Sequence, residues 1–272
     1  MIPSLPQEQK IPEPRRIRGL NRIGVWTLIM REISRFLVVP LQTIVAPVIT
    51  TLLFYAIFAL AFGGQTRMIG DIHFMEFLAP GLITMTMVQN AFANTSSSIM
   101  ISKFQGNIVD TLMPPLSSFE LLIGLTAGGV ARGMAVGLAT TVVVSLFLPL
   151  HIHSFAAAFG YALLGSFLLS SLGIAAGIWA EKFDHIASVT NFVITPLTFL
   201  SGTFYSIGDL PGMWHGLALY NPFFYMIDGF RYGFTGQAGG SLAVGVTILV
   251  TANVALAVLI LWMLRSGYKL KT

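Results

Sequence analysis

The sequence contains no cysteine, which excludes disulfides, thiolate metal sites and thiol nucleophiles. It fixes no compartment, because a membrane protein needs no disulfide for its stability. No Gly-Lys dipeptide occurs either, so the lysine-bearing loop that cradles nucleotide phosphates is missing. Charge is scarce: charged residues make up 10% of the chain against 55% hydrophobic residues. With a mean hydropathy of +0.79, that balance excludes an ordinary soluble domain and makes the bilayer the solvent. The net charge of +4 does not mark a nucleic-acid binder, because the placement of the cations fits membrane topology better. Residues 1–19 lack a hydrophobic h-region followed by a small-residue cleavage site, so the first span is expected to act as the insertion signal.

What is present is a series of long uncharged stretches. They predict an all-α integral membrane fold with six transmembrane helices near 38–62, 77–98, 121–148, 155–180, 186–206 and 242–264. Pro149 and the polar His151 and His153 divide the long run between the third and fourth spans. Lys10, Arg15, Arg16, Arg18, Arg22, Arg31 and Arg35 precede the first span, and Arg265, Lys269 and Lys271 follow the last. Lys103 and Lys182 fall in even-numbered connections, whereas the other side holds only Arg67 and Arg231. The positive-inside rule therefore places both termini in the cytoplasm. The organisation that results is a flexible cytoplasmic tail over 1–20, an interfacial helix over 21–37, the transmembrane domain over 38–265 and a cytoplasmic tail over 266–272. Pro47 and Pro80 predict kinks within spans rather than breaks. Small residues in span three (Gly124, Gly128, Gly129, Gly133, Gly137) and span four (Gly173, Gly177) allow close helix approach. Packing within one subunit is weighed above a dimer contact there.

Four features can carry function. Ile23, Trp26, Met30, Ile33 and Leu37 recur at helical spacing beside Arg22, Arg31 and Arg35, as an interfacial helix requires; a topological anchor and a transmitter of motion both fit. Residues Gly106, Asn107, Ile108, Val109, Asp110, Leu112 and Met113 form a short helix stopped by Pro114 and Pro115, and Ser117 with Glu120 offers a capping box that restarts the next span. A docking surface and an ordinary tight loop fit that element equally. Between spans five and six, Trp214, Tyr220, Phe223, Phe224, Tyr225, Phe230, Tyr232 and Phe234 crowd into halves too short to span, interrupted at Asn221-Pro222. Re-entrant half-helices are the simplest reading, either as an external gate or as a plug that braces the spans. Asp228 and Arg231 lie on one face of that element, where they can pair. Finally, Arg132 sits inside the apolar part of span three, with Glu76 and Glu120 as candidate partners; an intramembrane charge is a functional hypothesis, though an ion pair or an approach to the interface serves equally. The histidine pairs fit no metal motif, and Glu181 to His185 reads as a solvated turn.

The segment Thr195-Pro196-Leu197-Thr198-Phe199-Leu200-Ser201-Gly202-Thr203-Phe204-Tyr205, followed by Leu210-Pro211, Asn221-Pro222 and Gly229-Phe230-Arg231-Tyr232, resembles an ABC-2 type permease. The resemblance covers nearly the whole chain, including Phe104-Gln105-Gly106-Asn107-Ile108 and Gly128-Gly129-Val130-Ala131-Arg132-Gly133. It is similar to the bacterial inner-membrane branch related to drug and polysaccharide exporters. The resemblance implies two permease copies, or one copy with a related second permease, each contacting one cytoplasmic ABC ATPase that holds the ATP and Mg. This chain would then hold no cofactor and catalyse nothing itself. Residues 106–113 would be the coupling helix, and Phe204, Tyr205, Leu210, Pro211, Asn221, Pro222, Asp228 and Arg231 would belong to the external re-entrant gate. Spans one, two and five would line a path for an amphipathic, lipid-linked or drug-like substrate. An energy-independent lipid scramblase or channel and a non-transporting assembly subunit are the rival readings.

Overall fold

A computed structural model describes residues 19–61, 68–70 and 72–270, apart from the Asp209 side chain. The tail predicted over 1–20 lies outside these residues except for Gly19 and Leu20, as do Phe62, Arg67 and Lys271.

The fold is a helical bundle. Helix α1 (Arg22–Leu37) leads through a π turn (Leu41–Val45) into α2 (Ala46–Ala61). A two-stranded antiparallel hairpin, β1 (Met68–Ile69) and β2 (Ile72–His73), opens onto α3 (Phe74–Phe104). The short α4 (Ile108–Leu112) precedes α5 (Ser118–Ser145) and α6 (Phe155–Trp179). Helix α7 (Phe183–Val189), a second π turn (Thr190–Ile194) and α8 (Thr195–Phe199) run on as one rod. Helices α9 (Gly212–Leu219) and α10 (Pro222–Thr235) precede α11 (Leu242–Ser266).

Among the described residues, four helical segments are long and apolar enough to cross a membrane: Leu41–Ala61, Ser118–Ser145, Phe155–Trp179 and Leu242–Ser266. The other two rods stand where spans two and five were expected. Helix α3 is 31 residues long, about 46 Å at the usual rise, and so exceeds a hydrocarbon core of roughly 30 Å. Its hydropathy is lowered by Thr84, Asn90, Asn94, Thr95, Ser96 and Ser98, all of which are buried inside the protein. The α7 to α8 rod is shorter and more exposed.

Helix α3 is the axis. Gly129 and Gly133 of α5, and Gly173 and Gly177 of α6, bring those helices against it so closely that a Cβ at Gly129 would lie 2.6 Å from Thr95 Cγ2 and one at Gly173 2.2 Å from Thr95 Oγ1. The small-residue stripes therefore serve packing within the chain. Close approach also satisfies polar groups: Thr95 Oγ1 donates to Ser170 O at 2.8 Å, and Ser170 Oγ to Thr126 O at 3.0 Å.

The prolines shape two rods in the same way. A proline lacks the N–H that would bond one turn back. Just before Pro47 and just before Pro196 the backbone widens into a π turn, so that the N–H of Ala46 reaches Leu41 O and that of Thr195 reaches Thr190 O. A π bulge is a known way for a helix to absorb such a defect. Pro80 instead stays within α3, where its carbonyl accepts from Thr84 Oγ1 at 2.8 Å.

Candidate functional site

The α4 end of the bundle is built as the sequence leads one to expect. Gly106 adopts φ +72, a left-handed conformation that suits glycine, and so turns the chain out of α3. Asn107 precedes α4, Ile108 anchors it in the core, and Val109, Asp110 and Met113 are exposed, the last at 77%. Leu112 is half-buried. Ser117 and Glu120 then form the full capping box of α5, with Ser117 N donating to Glu120 Oε2 at 2.6 Å. Glu120 Oε1 also accepts from Asn21 N, and Asn21 Nδ2 donates to Pro115 O at 3.2 Å. The start of α1 is thus fastened to the loop that leaves α4.

Helix α1 runs beside the first turns of α5, where Gly124 and Gly128 leave room for Leu28 and Glu32. The face against protein is Val25, Leu28, Glu32 and Phe36. The apolar stripe picked out in the sequence points the other way: Ile23, Trp26 and Leu37 are exposed, and Met30 and Ile33 half-buried. In a bilayer this is the sensible direction, since apolar groups face lipid and a charge faces protein.

That charge is Glu32, 1% exposed, which sequence periodicity missed. Arg31 Nη2 lies 3.1 Å from Glu32 Oε1 and Arg35 Nη2 3.4 Å from Oε2, while Ser98 Oγ donates to Oε1 at 2.9 Å. Arg31 also donates to Thr111 Oγ1 of α4 at 3.0 Å. Arg35 donates to Asn94 O, Asn94 Oδ1 and Ser97 Oγ. Arg132 joins this layer from α5, donating to Asn90 Oδ1 at 3.0 Å. The acidic partners considered for it, Glu76 and Glu120, are not used: Glu120 is committed to its capping box and Glu76 sits in the first turn of α3, far along the helix from Asn90.

Lys103, at the same end, caps the C-terminus of α6 by donating to Ile178 O and Ala180 O at 2.8 and 2.5 Å. Lys269 Nζ lies 2.7 Å from Glu181 Oε1, holding the tail after α11 to the turn after α6. Leu270 of that tail is buried against Ile178 and Met263. Each charge reinforces the other: Lys269 holds the Glu181 carboxyl below its ordinary pKa, and Glu181 holds the Lys269 ammonium above its own.

Between α3 and the α7 to α8 rod lies an open recess of about 190 Å³, lined by Gln89, Phe92, Ala93, Ser96, Ser97, Ile186, Thr190 and Ile194. At the far end, Phe204 stacks between Phe58 of α2 (4.8 Å) and Phe199 of α8 (5.2 Å).

Helices α9 and α10 form the other end. Asn221 caps α10 by accepting from Phe223 N, and its Nδ2 donates to Leu197 O at 2.7 Å. Helix α10 then runs antiparallel to the start of α6: Met226 meets Gly165, Gly229 meets Tyr161, and Gly233 meets Ala158. It closes at Gly236 (φ +71) against His153. Its tip therefore sits some ten residues along α6, roughly 15 Å deep. The pair enters and leaves the bundle at one end. Tyr205 and Leu210 are half-buried at its entrance and Pro211 precedes α9.

Asp228 and Arg231 share a face of α10 but do not form an ion pair; each has other partners. Asp228 accepts from Gly239 N and Gly240 N at 2.8 and 2.9 Å. Arg231 donates to Phe77 O at 3.1 Å and Gly202 O at 2.7 Å, with its guanidinium 3.6 Å above the Phe77 ring. Gly81 lets the 202–203 backbone approach α3, since a Cβ there would lie 2.8 Å from Thr203 O. A cavity of about 190 Å³ borders this layer, with Ile69, Phe77, Ser206, Phe224, Asp228 and Arg231 in its wall.

A bundle of long apolar helices, with a short exposed helix at one end and a helix pair dipping in from the other, defines an all-helical membrane protein. The model of the ABC-2 type transporter family matches residues 24–235, and the chain belongs to that family. It is 42% identical to the inner membrane transport permease YadH of Escherichia coli strain K12 over 92% of this chain and 96% of the relative. It is 21% identical to nodulation protein J of Rhizobium leguminosarum bv. viciae over 85% of this chain and 88% of the relative. This is a multi-pass inner-membrane permease subunit that lacks the ATPase domain.

Proposed function

We propose that this chain forms half of the transmembrane pathway of an ATP-driven exporter, paired with a second copy or a related permease and with two copies of a cytoplasmic ABC ATPase. The observation that carries this reading is α4: a short helix with Val109, Asp110 and Met113 exposed, anchored by Ile108 and wired through Arg31 and Thr111 to α1. Such a helix, set between the ends of α3 and α5, can receive motion from a soluble partner and pass it to packed rods. In this reading the bundle has six spans, with α3 and the α7 to α8 rod as the second and fifth, and the α4 end faces the cytoplasm with both termini. Helix α1 lies at that interface with its apolar stripe toward lipid.

The recess between α3 and the α7 to α8 rod, with its Gln89, Ser96, Ser97 and Thr190, is the half-path that a second copy completes. The exposed faces of α2 and the α7 to α8 rod, including Leu53, Ile57 and Phe192, supply surface for that copy. Helices α9 and α10 form the outer closure, held by Arg231 and Asp228. The substrate is amphipathic, lipid-linked or drug-like, because the path is weakly polar and carries few charges. ATP and Mg belong to the partner ATPase. Reconstitution with the cognate ATPase tests the reading: flux should require hydrolysis, and flux that persists with a hydrolysis-dead ATPase contradicts it in favour of a scramblase.

A further inference from the structure

We propose that the polar layer between α1, α3 and α5 is a binding site for the phosphate headgroup of an anionic amphiphile. Three arginines, Arg31, Arg35 and Arg132, share this layer with a single carboxylate, Glu32, which pairs with the first two and not with the third. Arg35 binds Asn94 and Arg132 binds Asn90, one turn apart on α3, which sets two like charges side by side, and among the described residues no carboxylate reaches Arg132 within ion-pair distance. The hydrogen bonding is also incomplete in one direction. Among the charged and amide groups of this layer, the buried atoms without a hydrogen-bond partner are Arg35 Nε, Arg132 Nε and Asn94 Nδ2, all donors, against one acceptor, Glu32 Oε2, which still has Arg35 Nη2 at 3.4 Å. Asn94 is wholly buried, at 0% exposure. Buried donors without partners are costly, and an excess of donors and positive charge fits a ligand that is all acceptor. A phosphate oxyanion is that ligand, and arginine forks match its geometry.

The surroundings favour an amphiphile over free phosphate. Arg35 is followed directly by a strip of exposed apolar side chains, Val38, Val39, Leu41, Val45 and Ile49, along which an acyl chain can lie. Ser97, which accepts from Arg35, also lines the recess beside α3, so the headgroup would sit at the mouth of the proposed path. The inference rests on the proposed orientation only in assigning the site to the inner leaflet.

The full chain, reconstituted in phosphatidylcholine nanodiscs with a minor share of phosphatidylglycerol and then released, is assayed by native mass spectrometry for retained lipid. Phosphatidylglycerol should be retained about tenfold over phosphatidylcholine, the scale of one lost or gained charge-assisted contact. Arg132→Gln should abolish that preference. Asn90→Asp should do the same while keeping the hydrogen bond to Arg132, because its carboxylate neutralises the charge; this variant covers the case in which Arg132→Gln does not fold. Lys269→Gln, a surface cation, should leave the preference intact. Displacement of the lipid by inorganic phosphate assigns the site to the oxyanion, and failure to displace assigns it to the headgroup with its chain. Equal retention of both lipids, or a preference unchanged in both layer variants, overturns the proposal and leaves a layer filled by water only. The assay needs neither ATPase nor flux, so its failure leaves the permease reading standing, and lost ATP dependence with intact lipid preference would strike that reading alone.

Discussion

The two ends of this bundle bury charge in opposite ways. At the α10 end, Asp228 and Arg231 are turned into backbone fasteners: the carboxylate collects the Gly239 and Gly240 N–H groups, and the guanidinium collects Phe77 O, Gly202 O and the Phe77 ring. Neither residue contributes to the buried atoms left without partners. At the α4 end, Glu32, Arg35, Asn94 and Arg132 each contribute one. A satisfied buried network fixes geometry, whereas an unsatisfied one invites a ligand or a movement. The contrast assigns holding to the first layer and binding to the second.

Substitutions should separate these roles, the largest effects falling at the satisfied end. Arg231→Met removes the fastener and leaves two buried carbonyls of different segments short of a donor, so unfolding in detergent should lose about 3 to 5 kcal/mol, the range for breaking a buried charge network. Asp228→Ala removes the carboxylate that holds the N–H groups of the exposed Gly239 and the half-buried Gly240, and should cost about 1.5 to 3 kcal/mol in all, the range for hydrogen bonds to a charged group. Gly128→Ala, whose Cβ would lie 2.3 Å from Glu32 Cβ, should cost about 1 to 3 kcal/mol by overpacking and should displace α1, read as altered protection of Arg31 to Phe36 in hydrogen exchange. Arg132→Gln, in contrast, relieves a repulsion as it removes a hydrogen bond; its stability should change by less than about 1.5 kcal/mol. A loss at Arg132 equal to that at Arg231 would erase the distinction between the layers.

The smallest effect belongs to the exposed Lys269–Glu181 pair. Because the folded state lowers the Glu181 pKa and raises that of Lys269, its contribution is present between those values. It falls away as pH drops through the lowered Glu181 value, and again as pH climbs through the raised Lys269 value. Wild type and Lys269→Gln should therefore differ slightly in thermal midpoint near neutral pH, less in strong acid, and less again in high salt.

Local signals were the legible part of the sequence. The Ser117 to Glu120 capping box, the short helix before Pro114 and the interruption at Asn221-Pro222 depend on neighbouring residues alone, and each appears in the structure, though Gly106, read as part of that short helix, instead turns the chain ahead of it. The partners of buried charge were not legible. Arg132 pairs with the amide of Asn90 rather than a carboxylate, and Arg231 with carbonyls rather than Asp228, because the nearest groups come from distant chain segments. Helix α1 was legible in part. Its apolar stripe faces outward, as an interfacial helix requires, whereas the buried charge Glu32 on the opposite face carried no periodic signal. Span hydropathy was least informative for α3, whose Thr84, Asn90, Thr95, Ser96 and Ser98 are buried and hydrogen-bonded inside the bundle.

Because the chain has no cysteine of its own, single substitutions can report contact with the partner without background. Met113→Cys on α4 and Trp214→Cys on α9 are both exposed positions at opposite ends. Cross-linked in membranes with the cognate ATPase, Met113→Cys should capture it in a manner that changes with bound ATP, and Trp214→Cys should not. Capture at Trp214→Cys with none at Met113→Cys would contradict the assignment of α4 as the point where the motor drives the permease.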